Sequence, residues 1–142
     1  MNNTRSIICI SIVAIFVVIL LITTSVISRK SIEKKHLEYE VDQVARLILL
    51  QDCIEISFDK DRKQISFYNI NGNEETISIS EMFNSRVKRI YQKNGMLFFA
   101  LSVAMDDEYG LVYTRDSNLN MDGLWSVERT DKNLYYYKTY EG

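Results

Sequence analysis

The sequence predicts an α+β protein: a single N-terminal transmembrane helix continues into an amphipathic helix, followed by a mostly antiparallel β-sheet with one inserted helix. Three observations support this fold class: an uncharged apolar run, a stretch of helical periodicity after it, and alternating apolar and polar residues beyond that. The chain has 142 residues, which is enough for one folded domain beside a membrane segment. Its 46% hydrophobic and 25% charged residues exclude a disordered chain.

The apolar run follows a short polar tail at residues 1–6 and is interpreted as a transmembrane helix over residues 7–28. It contains no charged residue, and about 20 helical residues cross a hydrocarbon core about 30 Å thick. A cleaved secretory signal is the alternative, because Arg5 gives a positive start and small residues occur near the end of the run. The run exceeds the roughly 7–15 apolar residues of a typical signal and lacks an Ala-x-Ala-like site, which favours an uncleaved anchor.

Basic residues flank the predicted span unequally. Arg5 and the terminal amine precede it, whereas Arg29, Lys30, Lys34 and Lys35 follow it. The positive-inside tendency would place the larger cluster and the following domain in the cytoplasm. A short tail before a first apolar segment is also typical of signal anchors that export their carboxy-terminal domain. The sequence therefore leaves the side of the membrane open.

Residues 29–52 are predicted to form a juxtamembrane amphipathic helix. Leu37, Val41 and Ile48 recur at helical spacing on one face. This apolar face must pack against another surface, and the sheet that follows is the expected partner. A second copy of the chain, giving a homo-oligomer through the helix at residues 31–52, is the alternative.

Residues 53–142 are predicted to form a soluble domain built on one antiparallel sheet of about six strands. Asn71-Gly72 is a strong hairpin signal, because both residues tolerate the positive φ of a tight turn. Period-two alternation or a continuous apolar run predicts strands at residues 54–58, 64–67, 75–79, 96–104, 111–115, 125–129 and 134–140.

One helix is predicted within this domain, over about residues 79–93. Ser78 and Glu81 are three residues apart and match a capping box at its start, and Gly95 follows its expected end. On such a helix Arg86, Arg89 and Lys93 would share one face. That face could bind phosphate or an acidic partner, although a basic exposed face is also typical of an ordinary surface helix.

The single histidine and the one cysteine outside the apolar run do not form a catalytic pair. His36 and Cys53 are 17 positions apart, or about 25 Å along a continuous helix, and a nucleophilic cysteine needs a base within hydrogen-bond reach. We expect His36 to be solvated and Cys53 to pack as a small apolar side chain. No catalytic or cofactor-binding residue is predicted.

Two acidic segments are weak candidates for a metal site. Residues 116–123 resemble part of an EF-hand calcium loop, with oxygen-bearing side chains at alternate positions, but Met121 stands where that loop needs Gly and Val127 where it needs Glu. A loop rich in Asx turns is the main alternative. The run at residues 106–108 is expected to be a solvated turn. The candidate metal ligands are Asp116, Asn118, Asn120 and Asp122.

Aromatic residues are concentrated in the last predicted strand. Fifteen of the sixteen aromatic residues follow residue 30, and Tyr is enriched at binding surfaces because it supplies contact area at little entropic cost. The alternative is that other elements cover both faces of the strand. The candidate partner surface comprises Trp125, Tyr135, Tyr136, Tyr137 and Tyr140.

These patterns favour a membrane-anchored, non-enzymatic interaction or accessory module whose partners are the lipid bilayer and another membrane or envelope protein. A metal-dependent membrane-bound hydrolase using residues 106–108 and 116–122 is the first alternative, and an immunity-type protein is the second. Beyond residue 30, 14 basic residues face 19 acidic ones. This negative balance disfavours nucleic acid as a partner.

Overall fold

The computed structural model describes residues 2–51, 53, 55–104, 107–115, 124 and 126–140, and side chains from residue 14 onward except those of Ser126 and Tyr140. Its described elements are one long helix, one short helix and two antiparallel sheets, which is an α+β fold as predicted. The chain divides by its internal contacts into two units, Met1–His36 and Leu37–Gly142, with the division inside the long helix.

Helix α1 spans Asn2–Leu50 and includes residues 2–6, which the sequence suggested as a separate tail. No Pro or Gly interrupts it, which removes the two residues that most disfavour a helix interior. In the first unit, every side chain from Ala14 to Ile27 is exposed. Among the described residues, α1 is long and apolar enough to cross a membrane, and a signal sequence near the amino terminus would share these properties.

The second half of α1 forms part of the core of the second unit. Val41, Ala45 and Ile48 are completely buried, and they belong to a cluster that includes side chains from both sheets. The expected packing of this helix against strands is therefore present. The other large buried members of the cluster include Phe67, Phe83, Phe99, Leu97, Leu111 and Leu134.

The first sheet is a three-stranded meander of β1 (Glu55–Asp59), β2 (Gln64–Tyr68) and β3 (Glu74–Ser78). Side chains of β2 alternate between buried and less buried positions, and the buried ones are the apolar Ile65 and Phe67. This period-two alternation is what the sequence showed, and it orients one face of the sheet toward α1.

The turn between β2 and β3 is held mainly by Asn69. Its side-chain oxygen accepts from the N–H groups of Asn71 and Asn73 at 3.0 and 3.1 Å, and its carbonyl accepts from Gly72 N–H at 2.9 Å. Of the Asn71-Gly72 pair, only Gly72 has a positive φ, +77°. The predicted hairpin forms, but its loop is wider than a two-residue turn.

The predicted helix over residues 79–93 is wrong in its second half. Helix α2 spans only Glu81–Arg86, and Arg89–Lys93 is strand β4. The reason lies at Asn94-Gly95, where φ is +52° and +74°. Two consecutive positive-φ residues make the tight turn of a β-hairpin, which pairs β4 with the strand after it. The cap is also displaced, because Ser78 ends β3 and Ser80 is the N-cap.

The second sheet has five antiparallel strands in the order β4-β5-β6-β8-β7. Its remaining strands are β5 (Met96–Ala104), β6 (Asp107–Tyr113), β7 (Ser126–Arg129) and β8 (Leu134–Tyr140). The strands therefore form two sheets where the sequence predicted one. Strands β1 and β4 contact each other, but no backbone ladder joins the two sheets within the described ranges.

Both faces of the second sheet are covered near its centre. Leu97 and Phe99 of β5 face the cluster that contains α1, whereas Met96 and Phe98 face a second, smaller apolar cluster with Val112. The first half of β5 is thus buried on both faces, as its continuous apolar sequence predicted.

Candidate functional site

The most unusual polar group of the second unit is the carboxylate of Glu108, which lies on β6 and is only 5% exposed. It contacts Tyr137, a member of the smaller apolar cluster, and Tyr91, which packs against that cluster, and strands β4, β5 and β8 supply the side chains around it. Burying a charge is costly unless hydrogen bonds compensate for the lost water. We call the side chains around this carboxylate the Glu108 cluster: Arg89, Tyr91, Phe98, Glu108 and Tyr137.

Three donors from two other strands satisfy the Glu108 carboxylate. The Tyr91 hydroxyl donates to Oε1 at 2.5 Å, and the Tyr137 hydroxyl donates to the same oxygen. The Arg89 guanidinium donates to Oε2 and forms a salt bridge. Both carboxylate oxygens therefore have partners within the protein, although the Arg89 side chain is still 57% exposed.

Aromatic rings hold these donors in place. The Tyr91 ring stacks on Phe98 with centroids 4.9 Å apart, and Phe98 meets the Tyr137 ring edge-on at 5.1 Å. The Arg89 guanidinium lies 5.0 Å from the centroid of the Tyr91 ring, so the same cation contacts both a carboxylate and an aromatic face. The rings thus fix the directions from which the hydroxyl groups approach Glu108.

The electrostatics of the cluster keep both phenols protonated. Burial, together with the hydrogen bond to Glu108, raises the pKa of Tyr91 to about 12. Burial and the same carboxylate raise the pKa of Tyr137 further. Both hydroxyl groups therefore remain donors across the neutral range. The Glu108 carboxylate therefore accepts hydrogen bonds from three donors within the protein.

A second group of interest lies on the opposite face of the same sheet. Tyr109 of β6 and Tyr136 of β8 stack with centroids 5.6 Å apart and ring planes within 4°. Tyr136 is 8% exposed, whereas Tyr109 is 41% exposed. We call these two residues the tyrosine pair; together they present one buried ring and one ring accessible to a partner.

Carboxylates from two elements lie near the tyrosine pair. Burial and then a hydrogen bond to Glu38 of α1 raise the pKa of Tyr136. Burial, followed by the charges of Glu128 and Glu38, raises the pKa of Tyr109. Lys138 is the register partner of Tyr109 on β8 and adds one positive charge beside the two negative ones. The surface around Tyr109 is therefore aromatic and, on balance, acidic.

Comparisons of the chain with protein-family models, with curated proteins and with solved structures found no match.

His36 and Cys53, which the sequence analysis excluded as a catalytic pair, lie in different surroundings. His36 is exposed and ends the first unit. Cys53 is 8% exposed in the core of the second unit, and its thiol donates to the Glu55 carbonyl at 3.2 Å. Burial raises the pKa of the Cys53 thiol, which lowers the fraction of reactive thiolate. Cys53 packs as a small apolar side chain, as expected.

The structure describes only part of the two acidic segments that were suggested as metal sites. Asp106 and residues 116–123, which include the four suggested metal ligands, lie outside the described residues. Asp107 and Glu108 do not form a solvated turn, because both belong to β6 and Glu108 is buried. Within the part of the chain that the structure describes, no three His, Cys, Asp or Glu side chains are grouped closely enough to hold a metal ion.

The suggested basic helix face does not exist. Arg86 ends α2, whereas Arg89 and Lys93 belong to β4. Arg89 instead donates a hydrogen bond to the Glu108 carboxylate. The helical spacing of these three residues was misleading because the chain changes from helix to strand between the first and the second.

The suggested partner surface on the last strand is largely covered. Tyr136 and Tyr137 are buried on opposite faces of the second sheet, and Tyr135 is half-buried with the Arg129 guanidinium 6.0 Å from its ring centroid. Trp125 and the Tyr140 side chain lie outside the described residues. Among the described residues of the second sheet, the exposed aromatic residue is Tyr109, which sequence reasoning missed although it lies at period-two spacing with Leu111 and Tyr113 along β6.

Proposed function

We propose that the chain is a single-pass membrane protein in which the first half of α1 anchors a folded, non-enzymatic interaction module. The observation that carries the anchoring is the exposure of the apolar side chains in the first unit. Eight consecutive large apolar residues, from Ile15 to Ile22, each expose between 51% and 66% of their surface. Exposed apolar patches of this extent are typical of surfaces that contact membranes or other proteins.

Lipid is the solvent that best fits this segment. Its apolar side chains point in all directions around the helix, whereas a core helix of a water-soluble domain buries at least one face. Within the helix, the hydroxyl groups of Thr23, Thr24 and Ser25 donate to backbone carbonyls at 2.7–3.0 Å. Such internal hydrogen bonds satisfy polar groups that lipid cannot.

A retained anchor is favoured over a cleaved signal sequence by the length of the apolar run. The run covers residues 7–28 without a charged residue, which matches the thickness of a bilayer and exceeds the apolar core of a typical signal. Helix α1 also continues past it to Leu50 without interruption.

Charged substitutions within the apolar run test the anchoring. The double variant Val17→Arg/Leu20→Arg should lose membrane integration, because an Arg at the centre of a transmembrane helix costs about 2.5–3.5 kcal/mol. The matched control is Ile70→Arg/Val103→Arg, which places the same charges at exposed apolar positions of the second unit. Sedimentation of membranes from expressing cells measures the outcome. Equal retention of both variants would contradict the proposal.

The interaction role is supported by the state of the chemically reactive groups in the second unit. Glu108 is saturated by internal donors, and the Cys53 thiol is buried. Among the described side chains of the second sheet, Tyr109 is an exposed aromatic group, and it lies beside the carboxylates of Glu38 and Glu128. An aromatic ring flanked by negative charge suits a basic side chain of a partner protein. The hydrolase alternative depends on residues 106 and 116–122, outside the described residues.

Site-specific crosslinking tests the interaction surface. A photoreactive phenylalanine analogue replaces Tyr109 in the full chain in native membranes, and the same analogue at Val103, exposed on the neighbouring strand β5, is the control. We expect a crosslink to one membrane protein from position 109 only, weakened by Glu128→Gln and by added salt. A crosslinking pattern that is the same at both positions would contradict the assignment of this surface.

A further inference from the structure

The first unit carries a positive charge that neither the fold nor the proposed anchoring requires. Met1–His36 contains five basic residues and one acidic residue, a net charge of +4, whereas Leu37–Gly142 contains 12 basic and 18 acidic residues, a net charge of −6. Four of the five basic residues of the first unit follow the apolar run directly. We call these four residues the basic belt: Arg29, Lys30, Lys34 and Lys35.

All four side chains of the basic belt are exposed on helix α1. At 3.6 residues per turn they point to different sides of the helix, and the largest angular gap between them is about 120°. A basic stripe on one face would suit a protein partner on that side. Positive charge distributed around the axis instead suits a partner that surrounds the helix, as a layer of lipid headgroups does.

The axial position of the basic belt also fits a headgroup layer. Ser28 ends the uncharged run, and Lys35 follows it by seven residues, or about 10 Å along the helix. The headgroup region extends roughly 5–8 Å beyond the hydrocarbon core, and long basic side chains reach back toward it. The negative potential of a leaflet persists for about 8 Å in physiological salt, so all four side chains lie within its range.

We propose that the basic belt binds the anionic phospholipid headgroups of the leaflet at the carboxy-terminal end of the apolar run. This inference rests on the proposed membrane anchoring. A selective attraction to anionic lipid must come from the belt, because the net charge of −6 on the second unit would be repelled by the same surface. Each engaged basic residue strengthens the binding by roughly fivefold.

Native mass spectrometry of the full chain tests the proposal. The chain in detergent is mixed with equal amounts of phosphatidylglycerol and phosphatidylcholine, and the ratio of the two lipids bound is measured. We expect at least about fivefold enrichment of phosphatidylglycerol. Replacing the four belt residues with Gln should bring the ratio close to one, whereas exchanging Lys for Arg and Arg for Lys within the belt should preserve it.

The matched control removes the same number of charges from the second unit, at the exposed residues Arg62, Lys88, Lys93 and Lys132. This control should keep the enrichment of the natural chain. A ratio near one for the natural chain, or an unchanged ratio in the Gln variant of the belt, would overturn the proposal. An alkaline wash of the membranes tests the anchoring separately. A chain that stays in the washed membranes but shows no lipid preference overturns only the proposal that the basic belt binds anionic lipid. A chain that the wash releases overturns the anchoring itself.

Discussion

Glu40 of α1 completes the N-cap of α2 through Ser80. Its carboxylate accepts from the Ser80 N–H at 2.7 Å and from the Ser80 hydroxyl at 2.5 Å, while the Ser80 hydroxyl oxygen accepts from Phe83 N–H at 3.1 Å. In a capping box the third helical residue supplies a carboxylate to the N-cap N–H. Here that residue is Phe83, which is completely buried, and the carboxylate of Glu40, 40 positions before Ser80, takes its place.

This contact links the formation of α2 to the packing of α1. Helix α2 has only six residues, and an isolated helix of that length is unstable in water. We expect Glu40→Ala to lower the free energy of unfolding of the second unit by about 1–2 kcal/mol. Urea denaturation of the full chain in detergent measures the effect, with Asp61→Ala, at an exposed position of the second unit, as the control. Equal stability of the two variants would refute the capping role.

Removing the Glu108 carboxylate should destabilise the second sheet. In Glu108→Ala, the hydroxyl groups of the buried Tyr137 and the half-buried Tyr91 lose their acceptor, and we expect the free energy of unfolding to fall by about 2–3 kcal/mol. The 57% exposure of the Arg89 side chain limits this cost, because water can solvate the freed guanidinium. Asp107→Ala removes an exposed carboxylate one residue earlier and should be nearly neutral. Losses of similar size in both variants would contradict the cluster.

Alkaline pH should weaken the fold through the buried tyrosines. Burial and the Glu108 hydrogen bond raise the pKa of Tyr91 from 10.0 to about 12, so between these values the unfolded chain releases a proton that the folded chain retains. The stabilisation is complete below pH 10 and is lost as pH rises toward 12. The urea midpoint should fall over this range, and Tyr91→Phe should reduce the slope. A midpoint independent of pH there would be inconsistent with buried phenols.

Gly110 is expected to tolerate no side chain. A Cβ at this position of β6 would overlap the Phe99 carbonyl oxygen and lie 2.9 Å from the Ala100 Cα, and backbone atoms in a paired strand cannot move aside cheaply. Gly110→Ala should cost about 2–3 kcal/mol. Gly72→Ala is the comparison, because its Cβ meets no atom within 4 Å and only its φ of +77° is unfavourable, at about 1 kcal/mol. Thermal melts rank the two variants, and the reverse order would be contrary to the structure.

Much of the fold could be predicted from local pattern. The alternation in β2 identifies a strand that is buried on one face, because its side-chain burial has a period of two. The continuous apolar run in β5 identifies a strand whose first half is buried on both faces. The region from Phe83 to Lys93 could not be resolved by periodicity, since Phe83, Val87 and Ile90 fit a helical spacing as well. The overlooked signal was Asn94-Gly95, the dipeptide typical of a two-residue hairpin.

The candidate site was harder to predict, because it depends on contacts between distant strands. Glu108 follows two aspartates in the sequence, and nothing local distinguishes it from a solvated acidic turn. Its burial results from the pairing of β6 with β8 and of β5 with β4, which brings Tyr137 and Tyr91 to the same carboxylate. Likewise, Tyr136 of β8 is buried in the apolar cluster that contains α1, and its hydroxyl group is hydrogen-bonded to Glu38 of that helix.

The mass and membrane retention of the mature chain test the anchoring most directly. Membranes from cells expressing the protein are washed at alkaline pH, and the intact mass of the retained chain is determined. The proposal predicts a chain that stays in the washed membranes and whose mass includes residues 1–28. A chain released by the wash, or a shorter chain that begins near residue 29 and is recovered in a soluble fraction, would contradict it.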